Sequence, residues 1–539
     1  MVATTHTVSL QGTVGHVVDV QVDLAAGVVG TSLVGRPDTS INEARDRCKA
    51  AIGNTVFDSD KRRWPNTRRV TILLSPADLP KRGPHFDLAI AVAVLAAADP
   101  SIPGSALRGT ALVGELTLDG RVRCVPGVLP MVMAATARGI VTVFVPEPQV
   151  EEARMVEGVS VFGVRSLGQT VALLAGEEVP EAPPVEPMTG SPLLSWRGET
   201  RMDDLDLADV LGIPDTRYAV EVAAAGGHHL LLTGPRGSGK TTIAERIPGL
   251  LPDLTDQESL ELTAVHSLCG ALPPGATRFT RPPYLSPHHS ASRSGILGGG
   301  TGRVRPGDVS KAHLGVLFLD ELPLFPSDVV DALREPLEAG EISISRGEDH
   351  ARFPARAMFV FASNPCRCGE YHPWSRDHRC TCSEQARREY RAKVSGPVED
   401  RIDITRFVEP LGTGGSGQLP YERPETTAEV RARVTLARER QAARYAGLPW
   451  RLNAHAPGPL LREAWPLEDG AAERLEEEVM RGRLTRRGAV RVHRVAWSVT
   501  DLVGGERPGA EELDVALRLR SAAPLLLASL PASVHGRTA

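Results

Sequence analysis

A short stretch, GPRGSGKTT at residues 234–242, has residue types and spacing that bind phosphate groups. It follows an apolar run and opens a helical pattern, and this context disfavours a chance match. Glycines let backbone N–H groups curl around phosphate oxygens, helped by the positive end of the following helix. We expect Lys240 to reach the β- and γ-phosphates of ATP and Thr241 to hold Mg²⁺. The residues expected to contact the nucleotide are Gly234, Pro235, Arg236, Gly237, Ser238, Gly239, Lys240, Thr241 and Thr242.

Two carboxylates follow a second apolar run, in GVLFLDEL at residues 315–322. Taken alone, this pattern is that of an ordinary strand end. Downstream of a phosphate-binding loop it predicts that Asp320 binds Mg²⁺, usually through water, and that Glu321 polarises the attacking water.

A third apolar run, AMFVFASN, ends at Asn364. Its amide is expected to orient the lytic water beside the γ-phosphate, on a strand next to the one that carries Asp320. The alternative is an Asn that forms a turn before Pro365.

Four of the seven cysteines lie close together, in NPCRCGEYHPWSRDHRCTCS at residues 364–383. They are Cys366, Cys368, Cys380 and Cys382. Four thiolates satisfy tetrahedral Zn²⁺, although C-x-C gives a tighter bite than the commoner C-x₂-C. His372 or His378 could replace a cysteine as a ligand. Redox-labile thiols and unligated thiols remain as alternatives to structural zinc.

The chain of 539 residues is too long for one ordinary domain, and its 42% hydrophobic content is ample for several cores. Residues 1–175 mix Val-rich strands with Ala-rich helices, and a Pro- and Glu-rich segment marks a linker at 176–200. Strand-like and helical runs alternate over 201–410, which predicts a parallel-sheet core. A Gly-rich linker follows at 411–424, and helical periodicity over 425–539 predicts a carboxyl-terminal helical domain. The predicted fold is therefore a multidomain α/β protein.

Composition limits the partners and the location of the protein. The net charge of −5 argues against a surface coated in basic groups, so contacts with nucleic acid would be confined to a local patch or an inner ring. The amino terminus lacks a signal-peptide pattern. The longest apolar run, residues 88–98, is too short to span a bilayer. We expect a cytoplasmic protein with no membrane partner.

Several blocks of sequence together resemble the YifB/ComM family of magnesium-chelatase-like AAA+ ATPases. They are PHHSASRSGILGGG (287–300), RPGDVSKAHLGVLFLDELPLF (305–325), ALREPLEAGEISISR (332–346) and SNPCRCG (363–369). The resemblance implies an AAA+ P-loop core, a helical lid domain and a homohexameric ring. It also implies a motor on single-stranded or branched DNA, which drives branch migration during recombination or integration of incoming DNA. Two other functions stay open: remodelling of proteins and a chelatase-like reaction on a non-DNA substrate.

The same resemblance assigns roles to single residues. GPVEDRIDI (396–404) is similar to an arginine-finger segment, so Arg401 is expected to reach the γ-phosphate bound by a neighbouring subunit. The alternative is a surface arginine paired with Asp400 or Asp403. LTRRGAVRVHRVA (484–496) is similar to the lid helix that carries sensor 2, which indicates Arg487 or, one residue earlier, Arg486.

EISISRGEDHARFPARA (341–357) resembles the β-hairpin that this family directs into its central pore. Arg346 on this hairpin either contacts phosphate or is a plain hairpin residue. Two further stretches, 431–445 and 481–494, are rich in arginine. The first carries Arg431, Arg433, Arg438, Arg440 and Arg444. These stretches could line a DNA channel; the alternative is a solvated helix face balanced by glutamates.

The amino-terminal region resembles a Lon-protease-like α+β domain. The positions of a catalytic Ser–Lys pair are occupied by His85 and Leu129. Because that mechanism needs both groups, we expect no protease activity.

Overall fold

The computed structural model describes residues 2–57, 59–186, 205–270, 272, 277–300, 304–346, 349–373, 379–393, 398–409 and 424–525. It confirms a mixed α/β fold with a parallel-sheet core and carboxyl-terminal helices. The linker predicted at 411–424 lies almost entirely outside these ranges. Of the linker predicted at 176–200, residues 176–186 are described and lie along the amino-terminal domain, where Gln169 and Arg165 donate hydrogen bonds to the carbonyls of Pro180 and Ala182.

The amino-terminal domain is a mixed sheet covered by helices. Its strands are β1 (Val2–Gln11), β2 (Val14–Ala25), β3 (Gly30–Val34), β4 (Arg69–Ser75), β5 (Thr110–Leu112), β6 (Glu115–Leu116), β7 (Val122–Arg123), β8 (Thr142–Pro146) and β9 (Ser160–Val164). Its helices are α1 (Thr39–Asn54), α2 (Asp87–Ala98), α3 (Gly104–Leu107), α4 (Val128–Ala137), α5 (Val150–Arg154) and α6 (Leu167–Ala175). The main sheet has the order β3-β4-β2-β1-β5-β8-β9, and β6 pairs with β7. Helix α2 is apolar on all sides because it is buried between the sheet and α1.

The central unit is a parallel sheet in the order β11-β14-β17-β10-β18. Its strands and those of two small hairpins are β10 (Leu230–Thr233), β11 (Tyr284–Leu285), β12 (Gly298–Gly299), β13 (Arg305–Pro306), β14 (Val316–Leu319), β15 (Glu341–Arg346), β16 (Asp349–Pro354), β17 (Met358–Ser363) and β18 (Ile404–Phe407). The helices are α7 (Pro214–Gly226), α8 (Lys240–Ala244), α9 (Ile247–Leu250), α10 (Asp256–Leu268), α11 (Arg293–Leu297), α12 (Asp308–Lys311), α13 (Ser327–Ala332), α14 (Arg334–Ala339) and α15 (Glu384–Ala392). β14 and β17 are buried along their whole length, as expected for central strands of a parallel sheet.

The carboxyl-terminal unit is helical. It comprises α16 (Thr427–Arg444), α17 (Gly458–Ala464), α18 (Asp469–Met480), α19 (Arg486–Val503) and α20 (Ala510–Ser521). Val434, Val492 and Val499 share one hydrophobic cluster with Leu230 and Val360 of the central sheet. The helical unit therefore packs against the central sheet and shares its hydrophobic core.

The amino-terminal and central domains contact each other through α4 and α10. Leu129 packs against Ala264, and the N–H of Gly127 donates to the carbonyl of Ser267. The buried carboxylate of Glu152 accepts hydrogen bonds from the Leu129 N–H at 3.0 Å and from the Ser267 hydroxyl at 2.5 Å. This interface is both apolar and hydrogen-bonded, so it holds the two domains in a defined orientation.

No helix within the described ranges combines the length and the apolar character needed to cross a bilayer.

Candidate functional site

The predicted phosphate-binding loop, residues 234–242, connects β10 to α8 at the carboxyl edge of the central sheet. Gly237 and Gly239 have φ angles of 74° and 88°, in the left-handed region that glycine adopts at no steric cost. Gly239 precedes α8, whose first residue is Lys240. The backbone therefore curls as the sequence predicts for a loop that surrounds phosphate oxygens.

Lys240 folds back over this loop. Its Nζ atom donates to the carbonyls of Gly234 at 2.8 Å and Pro235 at 2.7 Å, and lies 3.4 Å from Oδ1 of Asn364. Burial lowers the pKa of Lys240, while the nearby carboxylates of Asp320 and Glu321 act in the opposite direction. The ammonium is thus poised next to the loop that would cradle phosphates, with two carboxylates close by.

Thr241 and Asp320 form the second part of the site. The Thr241 hydroxyl donates to Oδ2 of Asp320 at 3.0 Å. A hydroxyl and a carboxylate oxygen are hard ligands of the kind that Mg²⁺ prefers, so these two side chains fit a magnesium ion. The other carboxylate oxygen of Asp320 accepts the N–H of Glu321 at 2.8 Å. Glu321 has a φ of 51°, uncommon for a residue with a side chain and a conformation that recurs at functional sites.

Asn364 directly follows β17, which lies between β14 and β10. The register pairs Leu319 with Phe361 and Thr233 with Ser363, so the carboxyl ends of all three strands meet. The expectation that Asn364 follows a strand beside the one carrying Asp320 is confirmed. Its role, like those of Lys240, Thr241, Asp320 and Glu321, stays a prediction.

The four clustered cysteines come together in space. Their Sγ atoms all lie within 4.8 Å of one another, and Cys366 is 3.3 Å from Cys368 and 3.6 Å from Cys380. Four sulfurs around Zn²⁺ with Zn–S bonds of about 2.3 Å are separated by about 3.8 Å. The donor set therefore fits a tetrahedral zinc ion with Cys382 as the fourth ligand. His372 lies instead 3.5 Å from Glu409, and His378 lies outside the described residues.

Arg401 ends a 3₁₀ turn, Glu399–Arg401, that precedes β18. Because Ile404 pairs with Leu230 at the start of β10, this turn lies at the amino edge of the sheet, opposite the phosphate-binding loop of the same chain. Arg401 forms an ion pair with Glu338 at 2.6 Å. Asp403, one of the two alternative partners, contacts Arg491 at 2.6 Å.

The two candidates for sensor 2 differ in their contacts. Arg486 forms an ion pair with Glu476 at 2.5 Å. Arg487 is exposed, and its side chain makes no hydrogen bond or ion pair within the described part of the chain. The choice between Arg487 and Arg486 as sensor 2 stays a prediction.

The arginines of α16 are engaged inside the protein. Arg431 pairs with Asp253, Arg433 with Glu221 and Glu425, and Arg444 with Asp501, while Arg438 and Arg440 donate to the carbonyls of Ala224 and Asp501. In the stretch 481–494, Arg481, Arg483 and Arg486 pair with glutamates, and Arg491 and Arg494 donate to protein oxygens. The α16 arginines form neither a free basic face nor a merely solvated one, because their partners lie on other elements.

The hairpin β15–β16 is present where the resemblance placed it. Ile342 and Phe353 anchor its base in a hydrophobic cluster of the central domain. The turn of the amino-terminal domain at Gly12 meets the hairpin so closely that a Cβ there would lie 2.4 Å from the Arg352 carbonyl oxygen. The side chain of Arg346 lies outside what the structure describes.

His85 and Leu129 both have structural positions. His85 is buried and its Nε2 lies 2.8 Å from the carbonyl of Val8. Leu129 is buried at the contact with the central domain. Neither side chain can supply the nucleophile or the activating amine of a Ser–Lys pair, so the expectation of no protease activity remains a prediction with this physical basis.

Sequence reasoning missed Arg491, which contacts the turn that carries Arg401. Arg491 lies one helical turn beyond Arg487, in the arginine-rich stretch 481–494. The sequence does not indicate its partner, because Asp403 lies far away in the chain. Only the fold brings Arg491 to Asp403.

Comparison with known proteins gives a consistent result along the chain. The family described as "Magnesium chelatase, subunit ChlI" matches residues 206–414, "Subunit ChlI of Mg-chelatase" matches 20–149, and "Magnesium chelatase, subunit ChlI C-terminal" matches 424–520. An uncharacterized protein of Mycobacterium tuberculosis is 44% identical over 514 residues, 95% of this chain and 97% of that protein.

Two further relatives have names. Competence protein ComM of Haemophilus influenzae is 37% identical over 516 residues, 96% of both chains. Protein YifB of Escherichia coli is 36% identical over 523 residues, 97% of both chains. The chain therefore belongs to the YifB/ComM family of magnesium-chelatase-like AAA+ ATPases.

Proposed function

We propose that this protein is an ATP-driven, ring-forming motor that acts on DNA, with branch migration or helicase activity in recombination or integration of incoming DNA. The observation that carries the ATPase part is the convergence of Lys240, the Thr241–Asp320 pair and Asn364 at one edge of the sheet. The DNA part rests on similarity over 96% of the chain to a relative named as a competence protein. The proposal includes a cytoplasmic location.

Each site residue has one task in this proposal. Lys240 leaves its two carbonyl partners to bind the β- and γ-phosphates, and backbone N–H groups of residues 234–242 hold the remaining phosphate oxygens. Thr241 and Asp320 hold Mg²⁺, which neutralises charge on the phosphates. Glu321 and Asn364 orient and polarise the attacking water. Arg487 contacts the nucleotide from the lid.

The position of Arg401 supports the proposed ring. It lies at the amino edge of the sheet, so a full strand length separates it from the phosphate-binding loop of its own chain. A guanidinium placed there can complete a nucleotide site only in a neighbouring copy, which couples hydrolysis to assembly. In a closed ring of identical subunits, every nucleotide site receives one Arg401 from its neighbour. The family implies six subunits.

We assign the cysteine cluster to structural zinc. Cys366 follows Asn364 by two residues, and the chain continues from the cluster towards Arg401. Zinc at this point would fasten the loop that leaves the water-positioning residue, and the ion itself would take no part in hydrolysis.

The DNA-contacting surface is more restricted than the arginine content suggests. Because the arginines of α16 are held by protein partners, they are not counted as DNA contacts. The hairpin is the better candidate: Arg352 is 74% exposed, and His350 is exposed beside it. Such a surface would bind phosphates without reading bases, so binding should weaken steeply with salt.

Strand exchange on a three-stranded DNA joint molecule tests this function. The wild type should move the branch point with ATP, whereas Lys240→Ala and Glu321→Gln should not, although Glu321→Gln should still bind ATP. ATP hydrolysis should rise with forked or Holliday-junction DNA more than with unfolded protein or porphyrin. Stimulation by unfolded protein or porphyrin alone would favour protein remodelling or a chelatase-like reaction and overturn the DNA assignment. If Lys240→Ala hydrolyses ATP like the wild type, the nucleotide site is wrong.

A further inference from the structure

A buried ion pair joins the lid helix α19 to the turn that carries Arg401. Nη1 of Arg491 lies 2.6 Å from Oδ1 of Asp403, and Nε of Arg491 donates to the carbonyl of Asp400 at 2.7 Å. The exposed fraction is 13% for Arg491 and 1% for Asp403. One guanidinium therefore holds both the residue before Arg401 and the residue two places after it.

Asp403 is a fixed anchor for this contact. Its other carboxylate oxygen accepts the N–H of His229 at 3.1 Å and lies 3.5 Å from Nδ1 of His228. Burial by itself would raise the pKa of Asp403, but Arg491 and His228 hold that pKa well below its usual range. The carboxylate stays charged and accepts a hydrogen bond from His229, directly before β10. Through Asp403, Arg491 is therefore connected to the central sheet.

A second lid arginine contacts the same turn. Arg520 of α20 donates to the carbonyl of Ile402. The segment 400–403 is thus held from two lid helices, with Arg401 between the contacts. Arg401 itself pairs with Glu338 of α14.

The lid contact lies in the first half of α19. Arg487 and Arg491 are four residues apart, so their Cβ atoms lie on the same face of the helix, one turn above the other. A rotation or shift of α19 that brings Arg487 to a nucleotide must also move Arg491, because the helix between them is rigid on this scale.

We propose that Arg491 is a positioning residue for the arginine finger: it transmits the position of the lid in one subunit to Arg401, which that subunit presents to the next. This inference rests on the proposed role of Arg401. It adds a route, α19–Arg491–Asp400/Asp403–Arg401, by which the lid of one subunit sets the finger that this subunit presents to the next.

A mixing experiment separates this role from a structural one. Arg401→Ala chains keep an intact phosphate-binding loop and act as site donors. Lys240→Ala chains keep an intact finger and act as finger donors. Each alone should be inactive, and mixed rings should regain ATP hydrolysis at junctions where an intact loop meets an intact finger.

Arg491→Lys is then added to one partner at a time. In the finger donor it should lower the regained kcat on the order of a hundredfold with KM for ATP unchanged, because the finger is misplaced. In the site donor it should change kcat less than about twofold, which is the deviation expected when two substitutions act independently. Lysine keeps the positive charge next to Asp403, so we expect the chain to stay folded. It cannot hold two acceptors in a fixed geometry, so the turn that carries Arg401 is no longer held in place.

The matched control is Arg518→Lys in the finger donor. Arg518 also bonds one carboxylate, of Asp514 at 2.6 Å, and one carbonyl, of Pro524 at 3.0 Å, but it does not contact the finger turn. It should leave the regained activity intact. Equal losses from both placements of Arg491→Lys, or a loss only in the site donor, would overturn the proposal. Failure of the parent mixture to regain activity would overturn the finger in trans, and this inference with it.

Discussion

Arg401 and Glu338 form an ion pair within a single chain, with Nη2 and Oε1 2.6 Å apart. Only 13% of the Arg401 side chain is exposed, whereas half of Glu338 is. A finger that serves a neighbouring subunit must give up this contact when subunits meet. The pair therefore competes with assembly, and its strength sets part of the cost of forming an active site.

Glu338→Gln removes this competition. Partly exposed ion pairs contribute roughly 0.2–1 kcal/mol, so the protein concentration at half-maximal ATPase activity should fall by a factor of about 1.4 to 5. The maximal activity should not change. The measurement is specific ATPase activity against protein concentration.

The control for Glu338→Gln is Asp331→Asn, which removes the exposed pair with Arg334 from the same region. It should leave the concentration dependence unchanged. A fall in maximal activity of Glu338→Gln would mean instead that Glu338 acts in the assembled site.

Asn364→Ala separates nucleotide binding from hydrolysis. The substitution leaves Lys240 and the rest of the phosphate-binding loop unchanged, so ATP affinity should change little. The lytic water loses one orienting group, and kcat should fall by about 10²-fold, as for removal of one preorganised donor. Equilibrium binding of a fluorescent ATP analogue and steady-state kinetics check the two halves. A large loss of affinity with normal kcat would make Asn364 a binding residue.

Cys380→Ser tests the zinc assignment. Wild-type protein purified without chelators should carry about one Zn per chain, and the variant well under that, because three thiolates hold the ion less tightly. The melting temperature should fall together with the zinc content. Cys269→Ser, outside the cluster, is the control and should change neither. A wild type with no zinc and unchanged melting after chelator treatment would leave the cluster as unligated thiols.

The nucleotide site could be predicted from the sequence because each part is local. A loop between a strand and a helix, two acids after a strand and an amide after the next strand each lie within a few residues, and the parallel sheet then brings their ends together. The α16 arginines were open to two interpretations for the opposite reason. Their partners, such as Glu221 for Arg433 and Asp501 for Arg444, lie far away in the chain, and periodicity carries no information about them. Arg491 was missed for the same reason.

Glu152 is predicted to fix the amino-terminal domain on the central domain. Its buried carboxylate accepts from Leu129 and Ser267, and burial raises its pKa. Glu152→Ala leaves these donors without their partner at a cost of roughly 1–3 kcal/mol in the free energy of unfolding. A double-mutant cycle with Ser267→Ala in chemical denaturation should show coupling between the two residues. Additive effects would mean that the hydrogen bond does not hold the domains together.

Mild acid should weaken the central and lid domains before the amino-terminal domain. Burial lowers the pKa of His229 to about 4, of His493 to about 4 and of His455 to about 3. In the unfolded chain a histidine has a pKa of about 6.5. Above that pH the imidazole is neutral in both the folded and the unfolded state, and the folded protein keeps its full stability. This stability is lost as the pH falls towards 4, by up to about 1.4 kcal/mol per pH unit for each histidine.

Asp87 in the amino-terminal domain has the opposite effect on how stability changes with pH. Burial raises its pKa to about 6, so the folded domain takes up a proton before the unfolded chain does and gains stability as the pH falls from 7 towards 4. Hydrogen exchange at pH 7 and pH 5 should therefore show lid helices opening first in acid. His493→Gln, which can still donate to the Trp465 carbonyl, should reduce the pH dependence in the lid. Earlier opening of the amino-terminal domain would contradict this assignment.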